Sequence, residues 1–233
     1  STFIVLLLCL LNLGVIQHAY GQAPATLPYS QDFNTANDFT FLNGTATNKW
    51  FYGSATGNTG NSIYISDNNG TSNNYTINTS SVVHAYRDIT IPAGTSIASF
   101  LFDWKAGGES TYDYLRVWLV PNTFTPVSGT QITAGAGRTQ VGGNYNLQST
   151  WQTYSNSNLN ISAYAGATLR LVFEWRNDSS GGIQPPVAID NVNFSIPTCF
   201  IPSGMAVSAV GNNSATLAWN APNQVPASGY EYY

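Results

Sequence analysis

The pattern of hydrophobic and polar positions changes abruptly near residue 21. Residues 3–16 are almost uniformly apolar, and the small residues Ala19 and Gly21 follow them. A bilayer-spanning helix needs about 20 apolar residues, so this shorter run is typical of a secretory signal peptide. We therefore predict a signal peptide over residues 1–21 and an exported protein, secreted or held at the cell surface. No second long apolar run follows, so we predict no membrane span.

After residue 21, apolar and polar residues alternate with a period of two in short runs. Successive side chains of a strand point to opposite faces, so this alternation predicts half-buried β-strands. Segments rich in Gly, Asn and Pro separate the runs and are typical of turns. The predicted turns include 67–74, 92–95, 105–110, 134–144 and 177–186. The predicted strands are 27–33, 49–53, 62–66, 82–91, 96–106, 112–120, 150–154, 168–176 and 187–196.

Many short strands without helical periodicity predict an all-β fold, an antiparallel jelly-roll β-sandwich over residues 22–196. The composition changes at Pro197. The last segment, 197–233, contains a proline-led strand, then "SATLAW" and "GYEYY", and resembles the first three strands of a fibronectin type III domain with Trp219 as its core tryptophan. Such a domain needs about 100 residues. We therefore predict a truncated fibronectin type III-like sandwich here, with downstream domains of the same polypeptide as its partners.

Charge is scarce in this chain: 8% of residues are charged and the net charge is -4. Nucleic acids and anionic lipids require clustered Lys and Arg, so we predict neither as a partner. A surface of amides and hydroxyls suits an extracellular protein or a glycan instead. Of the 2 cysteines, Cys9 lies in the predicted signal peptide, so Cys199 is expected to stay free or to pair with a downstream cysteine.

Two similar segments, "FDWK" at 102–105 and "FEWR" at 173–176, contain a large share of the charges. Alternation places the aromatic residues of each segment on one face of a strand and its charges on the other. If the two strands are antiparallel neighbours, opposite charges face each other and each pair contributes roughly 0.2–1 kcal/mol. The expected pairs are Asp103 with Arg176 and Lys105 with Glu174.

Five segments together resemble the choice-of-anchor J family, jelly-roll domains of exported Bacteroidetes proteins that are similar to cleaved-adhesin domains and, more distantly, to MAM-type domains. They are "YSQDFN" (29–34), "SIYISDNNG" (62–70), "FDWKAGGESTYDYLRVWLVP" (102–121), "LNISAYAGATLRLVFEWRND" (159–178) and "QPPVAIDNVNF" (184–194). The resemblance implies a non-enzymatic extracellular sandwich beside fibronectin repeats or a secreted hydrolase. It also implies a sorting signal for type IX secretion beyond residue 233.

Carboxylates near strand ends are candidate ligands for a structural Ca²⁺, which takes 6 to 8 oxygen atoms. The first strand offers Asp32, the last offers Asp190 and Asn191, and the turn at 107–113 offers Glu109 and Asp113. Hydrogen-bonded carboxylates at strand ends are the alternative. If Ile189 faces the core, Asp190 faces outward, and the apolar Val192 and Phe194 share that outward parity. We therefore expect strand 187–196 to be bulged there or covered on both faces.

Consecutive aromatic residues at 50–52 cannot all face one core. Trp50 and Tyr52 are therefore candidates for ligand binding, with packing as the alternative. Catalysis is not expected, because His84 lacks a nucleophile motif nearby and the carboxylates match no glycosidase pattern. We predict a non-enzymatic interaction or adhesion module. The alternative is an ancillary carbohydrate-binding domain of a secreted protease or glycoside hydrolase.

Overall fold

The computed structural model describes residues 22–197 and 203–220. The predicted signal peptide, Cys199 and the predicted strand at 230–233 lie outside the described residues. No helix in these two ranges is long and apolar enough to cross a membrane.

Two six-stranded sheets form the domain. Sheet A has the order β1-β6-β11-β8-β9, and β3 also pairs with β6. Its strands are β1 (Ala25–Thr26), β3 (Thr40–Leu42), β6 (Ser81–Thr90), β8 (Tyr114–Pro121), β9 (Thr139–Tyr145) and β11 (Thr168–Asn177). Sheet B has the order β10-β7-β12-β5-β4, and β2 also pairs with β12. Its strands are β2 (Tyr29–Gln31), β4 (Lys49–Gly53), β5 (Ser62–Ser66), β7 (Ile97–Ala106), β10 (Gln148–Asn160) and β12 (Ala188–Ser195).

The predicted antiparallel jelly-roll sandwich is confirmed. All pairings within the two sheets are antiparallel except the short β1–β6 pair. A short 3-10 helix, Ser162–Tyr164, connects β10 with β11. Farther along the chain, β13 (Ser203–Ser208) and β14 (Thr216–Asn220) pair as an antiparallel hairpin, the described part of the predicted fibronectin-like segment.

The core lies between the two sheets and is rich in aromatic side chains. Alternation placed the aromatic residues of "FDWK" and "FEWR" in this core, and all four are buried there. The two segments meet across the core: the ring centroids of Phe102 in sheet B and Phe173 in sheet A are 5.4 Å apart. Their charges consequently lie on opposite outer faces of the sandwich. The two predicted ion pairs, Asp103 with Arg176 and Lys105 with Glu174, are therefore wrong.

On the outer face of sheet B, the charges of Asp103 and Lys105 are stabilised by polar and aromatic side chains instead of by ion pairs. Asp103 accepts hydrogen bonds from the side-chain amides of Asn58 (2.8 Å) and Asn191 (2.8 Å). The Lys105 ammonium lies 5.3 Å from the ring centroid of Trp151. The charges of β7 are thus stabilised by side chains of their own sheet and of the β4–β5 loop.

The Gly-rich segment 134–144 was predicted to be a turn, and this prediction is wrong at its second half. Residues 139–145 form β9, an edge strand of sheet A. Gly142 lies inside this strand with φ +68, a conformation that disrupts regular pairing. Edge strands tolerate such breaks because they pair on one side only.

A long connection between β8 and β9, residues 122–138, covers part of the outer face of sheet A; we call it the strap. Ile132 anchors it in a small apolar cluster that includes Trp118. The backbone N–H of Ile132 also donates to Oε2 of Glu174 (2.6 Å), which is in addition 3.1 Å from Nε2 of His84. His84 and Glu174 have no solvent exposure, so the strap closes over an interior acid–base pair.

Candidate functional site

Three loops meet at one end of the sandwich, and we call this region the loop surface. It consists of residues 107–113, 145–148 and 178–185. The N–H of Leu147 donates to the carbonyl of Gly107 (2.6 Å), while Gly108 and Ile183 exchange two backbone hydrogen bonds (2.7 and 3.0 Å). The loops are therefore fixed to one another through their backbones around Gly107 and Gly108.

The turn from Glu109 to Asp113, within the loop surface, is closed by two reciprocal backbone hydrogen bonds. The N–H of Glu109 donates to the carbonyl of Asp113 (3.0 Å), and that of Asp113 donates back to Glu109 (3.1 Å). The side-chain amide of Asn146 donates to both of these carbonyls, at 2.6 and 3.0 Å. This arrangement holds the two carboxylates predicted from the sequence on one rigid turn.

Three carboxylates come together at this turn. Oxygen atoms of Glu109, Asp113 and Asp178 all lie within 4.8 Å of one another. Asp113 is buried, and its oxygens accept hydrogen bonds from the Tyr75 hydroxyl (2.7 Å) and the Asp178 N–H (2.9 Å). Burial raises the pKa of Asp113, and these two hydrogen bonds partly oppose the effect.

Two glycines pack directly against this acidic group. A Cβ at Gly181 would lie 2.4 Å from a Glu109 carboxylate oxygen, and one at Gly182 would lie 2.5 Å from an Asp113 oxygen. Both glycines have positive φ, +72 and +105. Hard oxygen donors in a cradle that admits no side chain suit Ca²⁺. Glu109, Asp113 and Asp178 would hold such an ion; the predicted calcium site itself stays a prediction.

Large apolar side chains are exposed on the same loops. Within residues 22–197, four such side chains are exposed, and three belong to the loop surface: Tyr112 (48%), Leu147 (54%) and Ile183 (60%). Leu147 has φ +58, a left-handed conformation that residues other than glycine rarely adopt. Strained non-glycine residues of this kind cluster at functional sites.

Arg176 closes one side of the loop surface. Its guanidinium donates to the carbonyls of Thr111 (3.3 Å) and Tyr112 (2.7 Å) and lies 6.0 Å from the Tyr112 ring centroid. The exposed Tyr112 ring is therefore held in place by a cation. A pre-positioned aromatic side chain loses little entropy when a partner binds to it.

The second predicted calcium position, Asp190, already accepts hydrogen bonds from three backbone N–H groups. Its Oδ2 accepts from the backbones of Asn58 (2.8 Å) and Thr59 (3.2 Å), and its Oδ1 accepts from Asn191 (2.8 Å). A carboxylate has about four lone-pair sites, so at most one remains for a metal. Asp32 is exposed and accepts from the N–H of Asn34 (3.0 Å). The hydrogen-bonded alternative describes Asp190 better.

The expected irregularity of β12 is confirmed. Its pairing with β7 shifts register between Asp190 and Asn193, and Asn191 has φ +49. The bulge returns Val192 and Phe194 to the core, where both are buried. It leaves the Asp190 carboxylate, whose pKa burial raises, on the other side of the strand.

The two predicted aromatic platforms are packed against the core, Trp50 fully and Tyr52 in part. Trp50 is 1% exposed, and its indole N–H donates to the carbonyl of Val83 (3.3 Å). Tyr52 packs partly against the core, and its hydroxyl donates to the carbonyl of Phe33 (3.0 Å). Packing, the alternative weighed for these residues, is what the structure shows. Phe51 takes the other parity, so the run of aromatics serves both faces of β4.

Comparison with known proteins leaves the family open. No protein-family profile matches the chain, and no curated protein is similar to it. The resemblance to choice-of-anchor J domains therefore stays a prediction.

Similar solved structures are distant in sequence. The C-terminal family 22 carbohydrate-binding module of Clostridium thermocellum Xyn10B shares 15% identity, with 78% of this chain and 99% of that one covered and a TM-score of 0.41. The family 11 module from Clostridium thermocellum in complex with a mixed-linked tetrasaccharide also shares 15% identity. The match covers 71% of this chain and 92% of that one, with a TM-score of 0.41. Tailspike protein 4 of bacteriophage CBA120 shares 15% identity with a TM-score of 0.42. The match covers 70% of this chain and spans 20% of the length of that one. At this distance no ligand or residue role carries over.

Sequence reasoning identified two of the three carboxylates and missed the rest of the loop surface. Asp178 was visible as an acid in a Gly-rich turn, but nothing local indicated that its loop meets the turn at 107–113. Leu147 and Ile183 carried a weaker signal: each is a lone large apolar residue inside a polar loop.

Proposed function

We propose that this chain is a non-enzymatic interaction module of an exported protein, and that it attaches to an extracellular protein through the loop surface. The observation that carries this proposal is the grouping of Tyr112, Leu147 and Ile183, all exposed, on loops fixed by backbone hydrogen bonds. Single exposed apolar residues are ordinary, whereas grouped ones mark interaction sites. The fitting partner is a folded protein surface with an apolar centre.

The ionisable groups support a non-catalytic function. His84 has no solvent exposure and lies against Glu174 beneath the strap, so it cannot reach a substrate. Of the carboxylates on the loop surface, Asp113 is fully buried and engaged by Tyr75. Glu109 and Asp113 therefore do not flank an open cleft, as the acid and the base of a glycosidase must.

Solid-phase binding tests the proposal. The chain is applied to purified extracellular-matrix proteins and, in parallel, to immobilised polysaccharides. We expect binding to a protein, weakened about 10-fold or more by Ile183→Asp, because a charge placed in an apolar contact must be desolvated.

Val127→Asp is the matched control, since Val127 is 61% exposed but lies on the strap. It should bind like the unmodified chain. Binding to polysaccharides alone, insensitive to Ile183→Asp, would instead support the ancillary carbohydrate-binding domain and refute the proposal.

A further inference from the structure

A second surface feature lies where the β3–β4 connection, the start of β6 and the strap meet. It is a cavity of about 300 Å³. Six of its lining residues carry a hydroxyl and none of its lining residues is ionisable. The hydroxyl-bearing residues are Thr45, Thr47, Thr79, Ser80, Ser81 and Ser128.

Most of these hydroxyls are available to a ligand. Ser128 donates to the carbonyl of Asn43 (3.0 Å). For the other five, the described part of the chain provides no side-chain hydrogen-bond partner. Ser81 is 4% exposed, and its Oγ is buried without any partner. Because its Oγ is buried, Ser81 is not among the hydroxyls that an occupant reaches; those are the hydroxyls of Thr45, Thr47, Thr79 and Ser80.

The walls of the cavity are held in place. The side chain of Asn43 bridges to the backbone of Trp50 in both directions, at 2.7 and 3.0 Å. The buried amide of Asn48 donates to Asn177 (3.0 Å), which donates in turn to the carbonyl of Thr79 (2.8 Å). A preformed site loses less entropy when a ligand binds than a site that must order.

The lining chemistry selects the class of ligand. Each hydroxyl both donates and accepts, so the wall matches a ligand that does the same. An ionised ligand would lose its hydration without meeting a counter-charge among the lining residues. A purely apolar ligand would leave the hydroxyls unpaired. The remaining class is a neutral polyhydroxylated molecule.

We propose that this cavity is a binding site for one neutral sugar unit, either a monosaccharide or the end of a glycan. Its volume lies at the lower limit of ligand pockets and suits a single ring rather than a polymer chain. The inference goes beyond the proposed function, because it concerns a different surface and a different class of ligand.

Saturation-transfer NMR on the whole chain tests the site. The probes are glucose, galactose, mannose and N-acetylglucosamine, with glucuronate and glucosamine as charged comparators. We expect saturation transfer to at least one neutral sugar, with a Kd in the millimolar range for so small a ligand. The charged comparators should bind about 10-fold more weakly or not at all.

Substitutions assign the signal to the cavity. Thr47→Val with Ser80→Ala removes two free hydroxyls with little change in shape and should weaken binding about 10-fold. Thr45→Phe, a bulky substitution at an exposed lining position, should abolish binding while Tm stays unchanged. Thr123→Val, an exposed threonine of the strap outside the cavity, is the matched control and should bind normally.

Ile183→Asp separates this inference from the proposed function, since it should impair protein attachment and leave sugar binding intact. Three results would overturn the sugar site: no transfer to any neutral sugar, equal transfer to charged and neutral sugars, or binding that survives Thr45→Phe.

Discussion

Leu147 combines backbone strain with exposure of a large apolar side chain. A left-handed conformation costs a residue with a Cβ about 1–2 kcal/mol. Glycine relieves this cost but loses more backbone entropy on folding. A leucine at φ +58 is explained if its side chain serves the contact surface.

This argument leads to a paired prediction for Leu147→Gly. We expect the free energy of unfolding to rise by about 1 kcal/mol, since strain is removed, while attachment to the protein partner weakens. Urea denaturation and solid-phase binding measure the two effects. Leu147→Ala keeps the Cβ, so it should lose attachment without the gain in stability. A destabilised Leu147→Gly would contradict the strain argument.

Asp113 makes stability depend on pH in a defined direction. Burial raises its pKa in the folded state, so the folded chain binds this proton more tightly than the unfolded chain does. The contribution of Asp113 to stability is therefore largest at low pH and is lost as pH rises through the folded-state pKa.

We expect the difference in unfolding free energy between the unmodified chain and Asp113→Asn to increase as pH falls from about 7 towards about 4. Denaturation in chelator at several pH values measures it. Asp190, whose pKa is also raised, is present in both proteins and cancels from the difference. A difference that does not change with pH would contradict this account.

The contacts between charged residues could not be predicted from the sequence. The alternation of polar and apolar residues identified the buried aromatic residues of "FDWK" and "FEWR", because the face to which a strand side chain points depends only on its position in the strand. It did not locate Asp178 beside Glu109, because that contact joins loops far apart in sequence. The partners of Asp103 were hidden for the same reason.

Among the elements, the strap depends on a few contacts with sheet A. Glu174 holds both the Ile132 N–H and His84. Replacing it with alanine leaves two buried groups without their acceptor, and we expect a loss of about 3 kcal/mol in the free energy of unfolding.

Glu174→Gln is the matched variant, because its side-chain carbonyl can still accept from Ile132, and its loss should be clearly smaller. Urea denaturation compares the two, and hydrogen exchange at the Ile132 amide reports on the strap itself. Equal losses in both variants would show that this acceptor does not hold the strap.

Strand prediction succeeded where the hydrophobic pattern was strong and failed where glycine obscured it. β4 and β5 have the predicted bounds, and both lie in sheet B with buried positions set by core packing. β9 was missed because its glycines resemble a turn. Sheet order could not be predicted either, since nothing in an isolated strand specifies its neighbours, and the assumption that β7 and β11 pair was wrong.

We predict that bound calcium stabilises the whole molecule. We expect Tm to be higher in Ca²⁺ than in chelator, because an ion bound only to the folded state stabilises it. If the acidic group on the loop surface holds the ion, Asp178→Asn abolishes the increase and Asp190→Ala retains it. The reverse result would place the ion at β12, and an equal Tm in both conditions would refute calcium binding.

The position of β12 has a mechanical consequence. This strand begins beside the loop surface and ends at Ser195, two residues before Pro197. It pairs with β7 on one side and with β2 and β5 on the other. Tension between a partner on the loops and the following segment would pull along β12 and load these hydrogen bonds in shear, all at once, rather than unzip them singly.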